Sequence, residues 1–277
     1  METRKVGSSR RRTTEAPRYR DALVSYVDIL GFRALLNGKH DGPGDIRKKV
    51  LEVHRHLLHE DDEGAGIVDI AFSDTVLSVS FLPGPTDYHP GVLYQALFHL
   101  HLAQIELLGQ GILIRGGLAL GGVFIDSSRD VWFGPGIVSA YELETNADFP
   151  RIVLDGGLPR AFDENAALRS KHNTHAEEAK FVRDLVKRDV DGMAYIDPFS
   201  TDPGLFDDGL AGMMGFYQSV RRHLVDAASR YAEKPSVLRK YAWLANRYEA
   251  TVSKLPEVVR EGLSLSDTEF PGLRRVV

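Results

Sequence analysis

The sequence predicts an α+β fold with a ferredoxin-like split βαβ core and a C-terminal helical extension. Apolar runs of strand length and two long helical patterns follow one another in the order strand, helix, strand, strand, helix, strand, which is the order of that core. The middle two strands are separated only by a short polar turn, as in a hairpin. Beyond Pro203 the chain shows helical periodicity alone, which indicates an all-helical addition.

Each element of the core follows from its own pattern. The predicted elements are, in chain order, a strand at 22–28, a helix at 45–60, two strands within 66–81, a helix at 92–108 and a strand at 112–125. The strands are mostly apolar, whereas the apolar residues of the first helix recur at every third or fourth position. The strand at 112–125 is rich in glycine, which indicates that another segment approaches its backbone closely.

The second half of the chain adds elements to this core. They are a helix beginning near Pro135, a strand at 151–155, a polar surface helix at 171–188, a strand at 193–199, and two helices at 209–234 and 236–255 that are separated by Pro235. We therefore expect three regions: a disordered basic tail at 1–20, a folded domain at 21–200 and a helical extension at 201–277.

Composition narrows the classes of function. The formal net charge of −5 and the pI near 6.1 give no general attraction to nucleic acid or to an anionic membrane. The absence of cysteine excludes disulfides, thiolate zinc sites and cysteine nucleophiles, and it is compatible with a reducing cytoplasm. No apolar run is long enough to span a bilayer, and the basic N-terminus lacks the apolar core of a signal peptide. We expect a cytoplasmic protein without nucleic-acid or membrane partners.

Two aspartates are the candidate metal ligands. Asp28 ends the first strand, and Asp74 lies at the turn of the predicted hairpin. In the split βαβ order the first strand lies beside the hairpin, so both carboxylates would meet at one end of the sheet. Adjacent carboxylates repel each other unless a divalent cation lies between them, and oxygen ligands suit Mg²⁺ or Mn²⁺. The alternative is that each aspartate forms a turn or caps a helix.

The turn after Asp28 is a candidate phosphate site. Gly31 precedes the start of a helix, where the backbone N–H groups of a glycine turn can bind a triphosphate. Arg33 would add positive charge to this turn. Metal ions held by paired carboxylates serve phosphoryl transfer, because they bridge phosphate oxygens and lower the pKa of an attacking hydroxyl.

Four segments form an ordered set of motifs: YVDILGF with Asp28, FSDTVLSV with Asp74, IRGGLALGG with Arg115, and DVWFGPGIVSAYELE, which ends at Glu144. Together they resemble the motifs of class III nucleotidyl cyclases, and more closely those of the bacterial Pycsar pyrimidine cyclases. The resemblance covers roughly residues 22–200, the region that it identifies as a cyclase catalytic domain.

The resemblance implies an activity, a cofactor and an assembly. Class III cyclases are homodimers with active sites at the subunit interface, and two Mn²⁺ or Mg²⁺ ions would be held by Asp28, Ile29 and Asp74. One ion would activate the ribose 3′-hydroxyl of a nucleoside triphosphate for attack on the α-phosphate, which gives a 3′,5′-cyclic nucleotide and pyrophosphate. Arg115 would act in catalysis with the two aspartates. The residues assigned to substrate binding are Ile29, Gly31, Phe32, Arg33, Ile70 and Ser139.

The Pycsar branch implies UTP as the substrate ahead of CTP, a role in anti-phage defence signalling, and a separate effector protein that reads the product.

The chain departs from cyclases that make cyclic AMP. Ile70 stands at the position of their base-selecting lysine, Ser139 near that of their asparagine, and Glu142 at that of their arginine. An ordinary adenylyl cyclase is therefore not expected, and the positive charge would come from Arg115 or Arg151.

Two other interpretations stay open. One is a non-catalytic cyclase-like module that binds a nucleotide or serves in assembly, and the changes at Ser139 and Glu142 motivate it. The other is a relative of polymerase palm domains, which also place two aspartates at a strand end and a hairpin but join nucleotides intermolecularly. We favour the active cyclase because both metal aspartates, Asp28 and Asp74, are present.

Overall fold

The computed structural model describes residues 18–37, 42–59, 66–84, 87 and 90–270, so most of the predicted tail lies outside the described residues. The first half of the chain forms β1 Arg20–Ile29, α1 Phe32–Leu36, α2 Pro43–Leu57, β2 Ile67–Phe72, β3 Thr75–Phe81, α3 Val92–Gly109 and β4 Ile114–Asp126. These elements agree with the predicted order.

The second half forms β5 Val131–Phe133, α4 Pro135–Asn146, β6 Ile152–Leu154, α5 Leu158–Glu164, α6 His175–Leu185, β7 Val186–Arg188, β8 Ala194–Ile196, α7 Leu210–Arg230, α8 Pro235–Val252 and α9 Glu257–Arg260. The predicted polar helix at 171–188 is shorter than expected. It begins after Thr174, whose hydroxyl accepts a hydrogen bond from the N–H of Glu177. Its last three predicted residues instead pair with β8 as β7.

The α+β fold with a split βαβ core is confirmed. The strand order is β2-β3-β1-β4-β6-β8-β7, and β5 pairs with β4 outside this path. Strand β1 lies antiparallel between β3 and β4, and β2 is antiparallel to β3, as the element order requires. In this register Val27 faces Val76 and Asp28 faces Arg115, so the end of β1 lies beside the start of both neighbours.

The residues of β1 are divided between the two faces of the sheet, because side chains alternate along a strand. Val27 and Ile29 pack in one hydrophobic cluster with residues of α2 and α3. Val24 packs on the opposite face in a cluster that contains Ala140 of α4. Asp28 is an even number of residues from Val24, so it belongs to the face that α4 covers.

Two glycines of β4 explain how closely α4 packs on the sheet. A Cβ atom at Gly117 would lie 2.2 Å from the carbonyl oxygen of Ala140, and one at Gly121 would lie 2.7 Å from the Cα atom of Gly136. No side chain fits into such a backbone contact. The predicted close approach to this strand is therefore confirmed, and α4 is its cause.

The C-terminal helices pack against the far part of the sheet. Val153 of β6 and Tyr195 of β8 belong to the same hydrophobic cluster as Tyr217 of α7 and both Trp243 and Tyr248 of α8. The ring of Trp243 also meets that of Tyr195 edge to face, with 5.5 Å between the centroids. Across the described ranges of the chain, the structure has no helix with the length and apolarity needed to cross a membrane.

A buried charge network joins α8 to the sheet. Arg151 is 1% exposed, donates to Oδ2 of Asp189 at 2.6 Å and also pairs with Asp191. Asp189 accepts three further hydrogen bonds, from Nε1 of Trp243 at 2.6 Å, from Nη2 of Arg247 at 2.8 Å and from the N–H of Val190 at 2.8 Å. Buried charges are tolerated when they are paired in this way. Because its guanidinium is enclosed in this network, Arg151 does not provide the positive charge that was considered for the site.

Candidate functional site

Asp28 and Arg115 are paired across the sheet at the end of β1. The Nε atom of Arg115 donates to Oδ1 of Asp28 at 3.1 Å, and its Nη2 atom donates to Oδ2 at 3.4 Å. Both side chains are partly exposed, Asp28 at 19% and Arg115 at 26%. Two of the predicted catalytic residues are therefore direct neighbours that solvent can reach.

Glu144 of α4 adds a second carboxyl group to this pair. Its side chain is 3% exposed, and its Oε1 atom lies 2.6 Å from Nη2 of Arg115. Burial and the negative charge of Asp28 together raise the pKa of Glu144 to about 7, although Arg115 opposes the rise. One guanidinium thus faces two carboxyl groups.

Asp74 lies at the same end of the sheet, in the turn between β2 and β3. The turn is tight because Ser73 adopts a left-handed conformation with a φ of 58°. Burial raises the pKa of Asp74, and the negative charge of Asp28 adds to the rise. Hydrogen bonds from the backbone N–H groups of Asp74 and Ile29 act in the opposite direction and lower the pKa. The structure thus places Asp74 within the electrostatic reach of Asp28, and the role of the two as metal ligands stays a prediction.

The oxygen donors at this end of the sheet fit a hard divalent cation. Mg²⁺ is commonly held by one or two carboxylates, with waters and substrate phosphates in the other positions. Asp28 and Asp74 supply such a pair, and Ile29 could add only its main-chain carbonyl, because its side chain is apolar and buried. Within the described part of the chain, no three acidic or histidine side chains are grouped to hold a metal by themselves. An ion would have to share Asp28 with Arg115.

The predicted phosphate turn has the expected backbone. Gly31 has a φ of 84°, a left-handed conformation that favours glycine, and it caps the N-terminus of α1. This helix has only 5 residues, so its dipole is weak and the turn offers a phosphate chiefly its N–H groups. Arg33 is exposed on α1, and Phe32 is partly buried against the cluster that lies between the sheet and both α2 and α3.

Ile70 and Ser139 lie on β2 and α4 respectively. Ile70 is 39% exposed on β2, which is separated from β1 by β3. Ser139 is partly buried on α4. No hydrogen bond or ion pair between described residues joins either one to Asp28 or Arg115. Their predicted contacts with a substrate base stay predictions.

Two groups near Asp28 were not assigned a role from the sequence. Glu144 was matched to a motif, and the glycines of β4 were the signal that α4 would bring it close. Lys240 of α8 is the other: burial lowers its pKa, Arg115 lowers it further, and Asp28 is among the charges that act on it. No local pattern links Lys240 to the sheet, because its position depends on how α8 docks.

Comparison with known proteins gives similar folds at low sequence identity. No protein-family model and no curated protein matches the chain. The guanylyl cyclase domain of the RhoGC fusion protein from the aquatic fungus Blastocladiella emersonii is 18% identical, with a TM-score of 0.41, over 66% of this chain and 96% of that one. The adenylyl cyclase CyaB from Pseudomonas aeruginosa is 15% identical, with a TM-score of 0.37, over 64% of this chain and 93% of that one.

A third structure is a class III adenylyl cyclase-like ATP-binding protein from Pseudomonas aeruginosa. It is 17% identical with a TM-score of 0.41, and the match covers 59% of this chain but only 41% of that protein. These values describe a distant likeness in fold and carry no weight for activity. The function proposed below therefore depends on the chain's own residues.

The raised pKa of Glu144 predicts how stability depends on pH. Between its ordinary value and about 7, the folded state holds a proton that the unfolded state has lost, so the free energy of unfolding falls as pH rises through this window. Glu144→Gln removes this dependence. We expect the free energy of unfolding of the variant, relative to the unsubstituted protein, to rise by roughly 2–3 kcal/mol between pH 5 and pH 8.

Urea unfolding in metal-free buffer with EDTA, at several pH values between 5 and 8, measures this difference. Glu142→Gln is the matched control, because Glu142 lies on the same helix but is exposed. Its curve should run parallel to that of the unsubstituted protein. If the curve of Glu144→Gln also ran parallel to that of the unsubstituted protein, it would contradict the claim that Glu144 is a buried carboxyl group that holds its proton.

Proposed function

We propose that this protein is a metal-dependent nucleotidyl cyclase that converts a nucleoside triphosphate into a 3′,5′-cyclic nucleotide and pyrophosphate. The observation that supports it best is the position of Asp28 and Asp74 at one end of the split βαβ sheet, where the charge of Asp28 adds to the rise in the pKa of Asp74. Their mutual repulsion disfavours two free carboxylates and favours a bound cation. The ordered motifs around them add to this support.

In the proposed reaction the ribose 3′-oxygen loses its proton and attacks the α-phosphorus, and the bond from that phosphorus to the oxygen of the leaving pyrophosphate breaks. A bound divalent metal would lower the pKa of the 3′-hydroxyl and neutralise phosphate charge. Asp28, Asp74 and the Ile29 carbonyl would hold it. The Gly31 turn would bind phosphate oxygens, and Arg115 would stabilise the charge that develops on the α-phosphate.

A homodimer with active sites at the interface is part of this proposal. The outer face of α4 leaves Val138 54% exposed and Tyr141 50% exposed, and Phe133 just before the helix is 46% exposed. Neighbouring exposed apolar side chains commonly mark an interaction surface. A second copy would cover this face and could contribute groups beside Asp28. Light scattering of the purified protein should give twice the monomer mass of 30.8 kDa, and a monomer at micromolar concentration would contradict the dimer.

We further propose a pyrimidine triphosphate as the substrate, UTP ahead of CTP, in anti-phage signalling with a separate effector that reads the product. The resemblance to the Pycsar motifs supports this choice. Ile70 adds to it, because its apolar side chain cannot make the polar contact that a lysine would make with an adenine base.

Product analysis tests the proposal. Purified protein is incubated with Mn²⁺ and each of the four nucleoside triphosphates separately, and the products are identified by mass and retention. We expect cyclic UMP from UTP, less cyclic CMP from CTP, and an equal amount of pyrophosphate. Absence of any cyclic nucleotide, from protein that still unfolds cooperatively, would overturn the proposal. A linear or 2′,5′-linked product would favour the polymerase-palm interpretation.

Two observations favour a second candidate, a non-catalytic module that binds a nucleotide or serves in assembly. Arg115 already engages both Asp28 and Glu144, and Glu142 occupies the position of the cyclase arginine. Such a module would bind nucleotide without metal and without turnover. Tight binding in EDTA that survives Asp28→Asn, together with no product, would support this candidate over the cyclase.

A further inference from the structure

The start of α8 is fixed beside the end of α4. Nη2 of Arg239 lies 2.6 Å from Oδ2 of Asp148, and the guanidinium of Arg239 lies 5.3 Å from the ring centroid of Phe149. Phe149 in turn stacks on Trp243 with 5.6 Å between the ring centroids. Asp148 and Phe149 follow directly on α4, the helix that carries Glu144. These contacts hold α8 close to the group formed by Asp28, Arg115 and Glu144.

The same helix also lies near the end of β1 and the start of β4. Leu30, which follows β1, and Leu113, which precedes β4, pack in the hydrophobic cluster that contains Trp243 and Leu244 of α8. The N–H of Leu30 donates to the carbonyl of Leu113 at 2.8 Å, so both belong to the edge of the sheet where Asp28 lies. Helix α8 therefore borders the candidate site from the C-terminal extension.

Lys240 of α8 lies within electrostatic range of this site. It is partly buried, and the charges that act on it are those of Arg115, Asp148, Arg239 and Asp28. The nearby carboxylates already have partners, since Asp148 pairs with Arg239 and Asp28 with Arg115. Among the hydrogen bonds and ion pairs between described residues, none involves the ammonium of Lys240. A partly buried cation without an anionic partner is costly, and an anionic ligand would remove that cost.

We propose that Lys240 binds the pyrophosphate portion of the substrate, so that the C-terminal extension supplies part of the triphosphate site in the same chain. This inference rests on the proposed metal and nucleotide site at Asp28 and Asp74. Those carboxylates repel free phosphate, so a triphosphate needs cations around it besides the metal. Arg115 is shared between two carboxylates, whereas Lys240 has its charge free to pair with phosphate oxygens.

Binding of inorganic pyrophosphate with Mg²⁺, measured by calorimetry on the 277-residue chain, tests this role without requiring turnover or a particular base. Lys240→Met keeps the aliphatic stem and removes the charge, and we expect it to weaken pyrophosphate binding about tenfold or more. Lys240→Arg keeps a charge and should bind within about threefold of the unsubstituted protein, because either cation can pair with phosphate.

Lys254→Met is the matched control. Lys254 is an exposed lysine just beyond the far end of α8, roughly 20 Å from Lys240 at about 1.5 Å per residue. It should leave binding unchanged. Unfolding midpoints of all three variants show that each is folded. Equal affinity in Lys240→Met and the unsubstituted protein would overturn the inference, and so would an unsubstituted protein that binds no pyrophosphate.

The product assay separates this inference from the proposed function. If the protein forms cyclic nucleotide and Lys240→Met binds pyrophosphate as well as the unsubstituted protein does, the cyclase stands and the role of Lys240 fails. If pyrophosphate binding depends on Lys240 but no nucleotide is cyclised, the phosphate site stands and the cyclase fails.

Discussion

Replacing Asp28 with asparagine is expected to lower the rate of cyclic-nucleotide formation about a thousandfold. This is the effect of losing several kcal/mol of transition-state stabilisation by a metal ion. Asparagine has nearly the same shape but no charge, so the proposed divalent ion would lose one of its two carboxylates. The fold should persist, because Arg115 keeps its ion pair with Glu144 at 2.6 Å. Asp74→Asn should have an effect of the same order. Initial rates with Mn²⁺ and the best nucleoside triphosphate measure both.

The matched control for this experiment is Asp21→Asn. Asp21 lies on the same strand at its opposite end and is exposed. Its variant should turn over at the normal rate, which separates an effect at the site from an effect on β1. Rates of Asp28→Asn and Asp74→Asn within about tenfold of the unsubstituted protein, or about 1.4 kcal/mol, would refute the proposed metal ligands.

Replacing Arg151 with methionine should lower the free energy of unfolding by about 3–5 kcal/mol, the range seen when one partner of a buried ion pair is removed. Asp189 would stay buried at 2% exposure with three of its four donors, Trp243, Arg247 and the N–H of Val190. Asp191 would lose its partner as well. Urea unfolding followed by tryptophan fluorescence measures the loss, and Trp243 reports directly on the network.

Arg160→Met is the matched control for this experiment. Arg160 also pairs with a carboxylate, at 2.8 Å from Glu164, but both side chains are exposed, at 81% and 61%. Exposed pairs contribute at most about 1 kcal/mol, so this variant should unfold almost normally. Equal losses of unfolding free energy in the two variants would show that burial does not make the Arg151 network more important for stability than an exposed ion pair.

Much of the core was predictable because its signals are local. The apolar run at 22–28 became β1 at Arg20–Ile29, and the polar pair Ser73 and Asp74 became the turn between β2 and β3. A tight turn between two apolar strands fixes how they pair, and the split βαβ order then places β1 beside them. The neighbourhood of Asp28 and Asp74 follows from these steps.

The rest of the site depends on packing that no local pattern encodes. Glu144 reaches Arg115 because α4 lies in backbone contact with β4, and the depth of that contact depends on the glycines at 117 and 121. Lys240 lies within electrostatic range of the site because α8 docks on the turn after α4. Hydrophobic periodicity predicts that these helices exist and which faces they bury, but the angle at which helices cross has several solutions. The sequence therefore predicted helices after Pro203 and could not say what they border.

The buried network around Asp189 matters to anyone who shortens the chain. A fragment that stops at residue 200 would lack Trp243 and Arg247, so Asp189 would lose two of its hydrogen-bond donors. The apolar side chains around Tyr195 would also become exposed to solvent. Such fragments tend to aggregate or to be digested before they accumulate. If a truncated protein showed no activity in cells, the cause would then be its low abundance. The result would be mistaken for the removal of an activating segment.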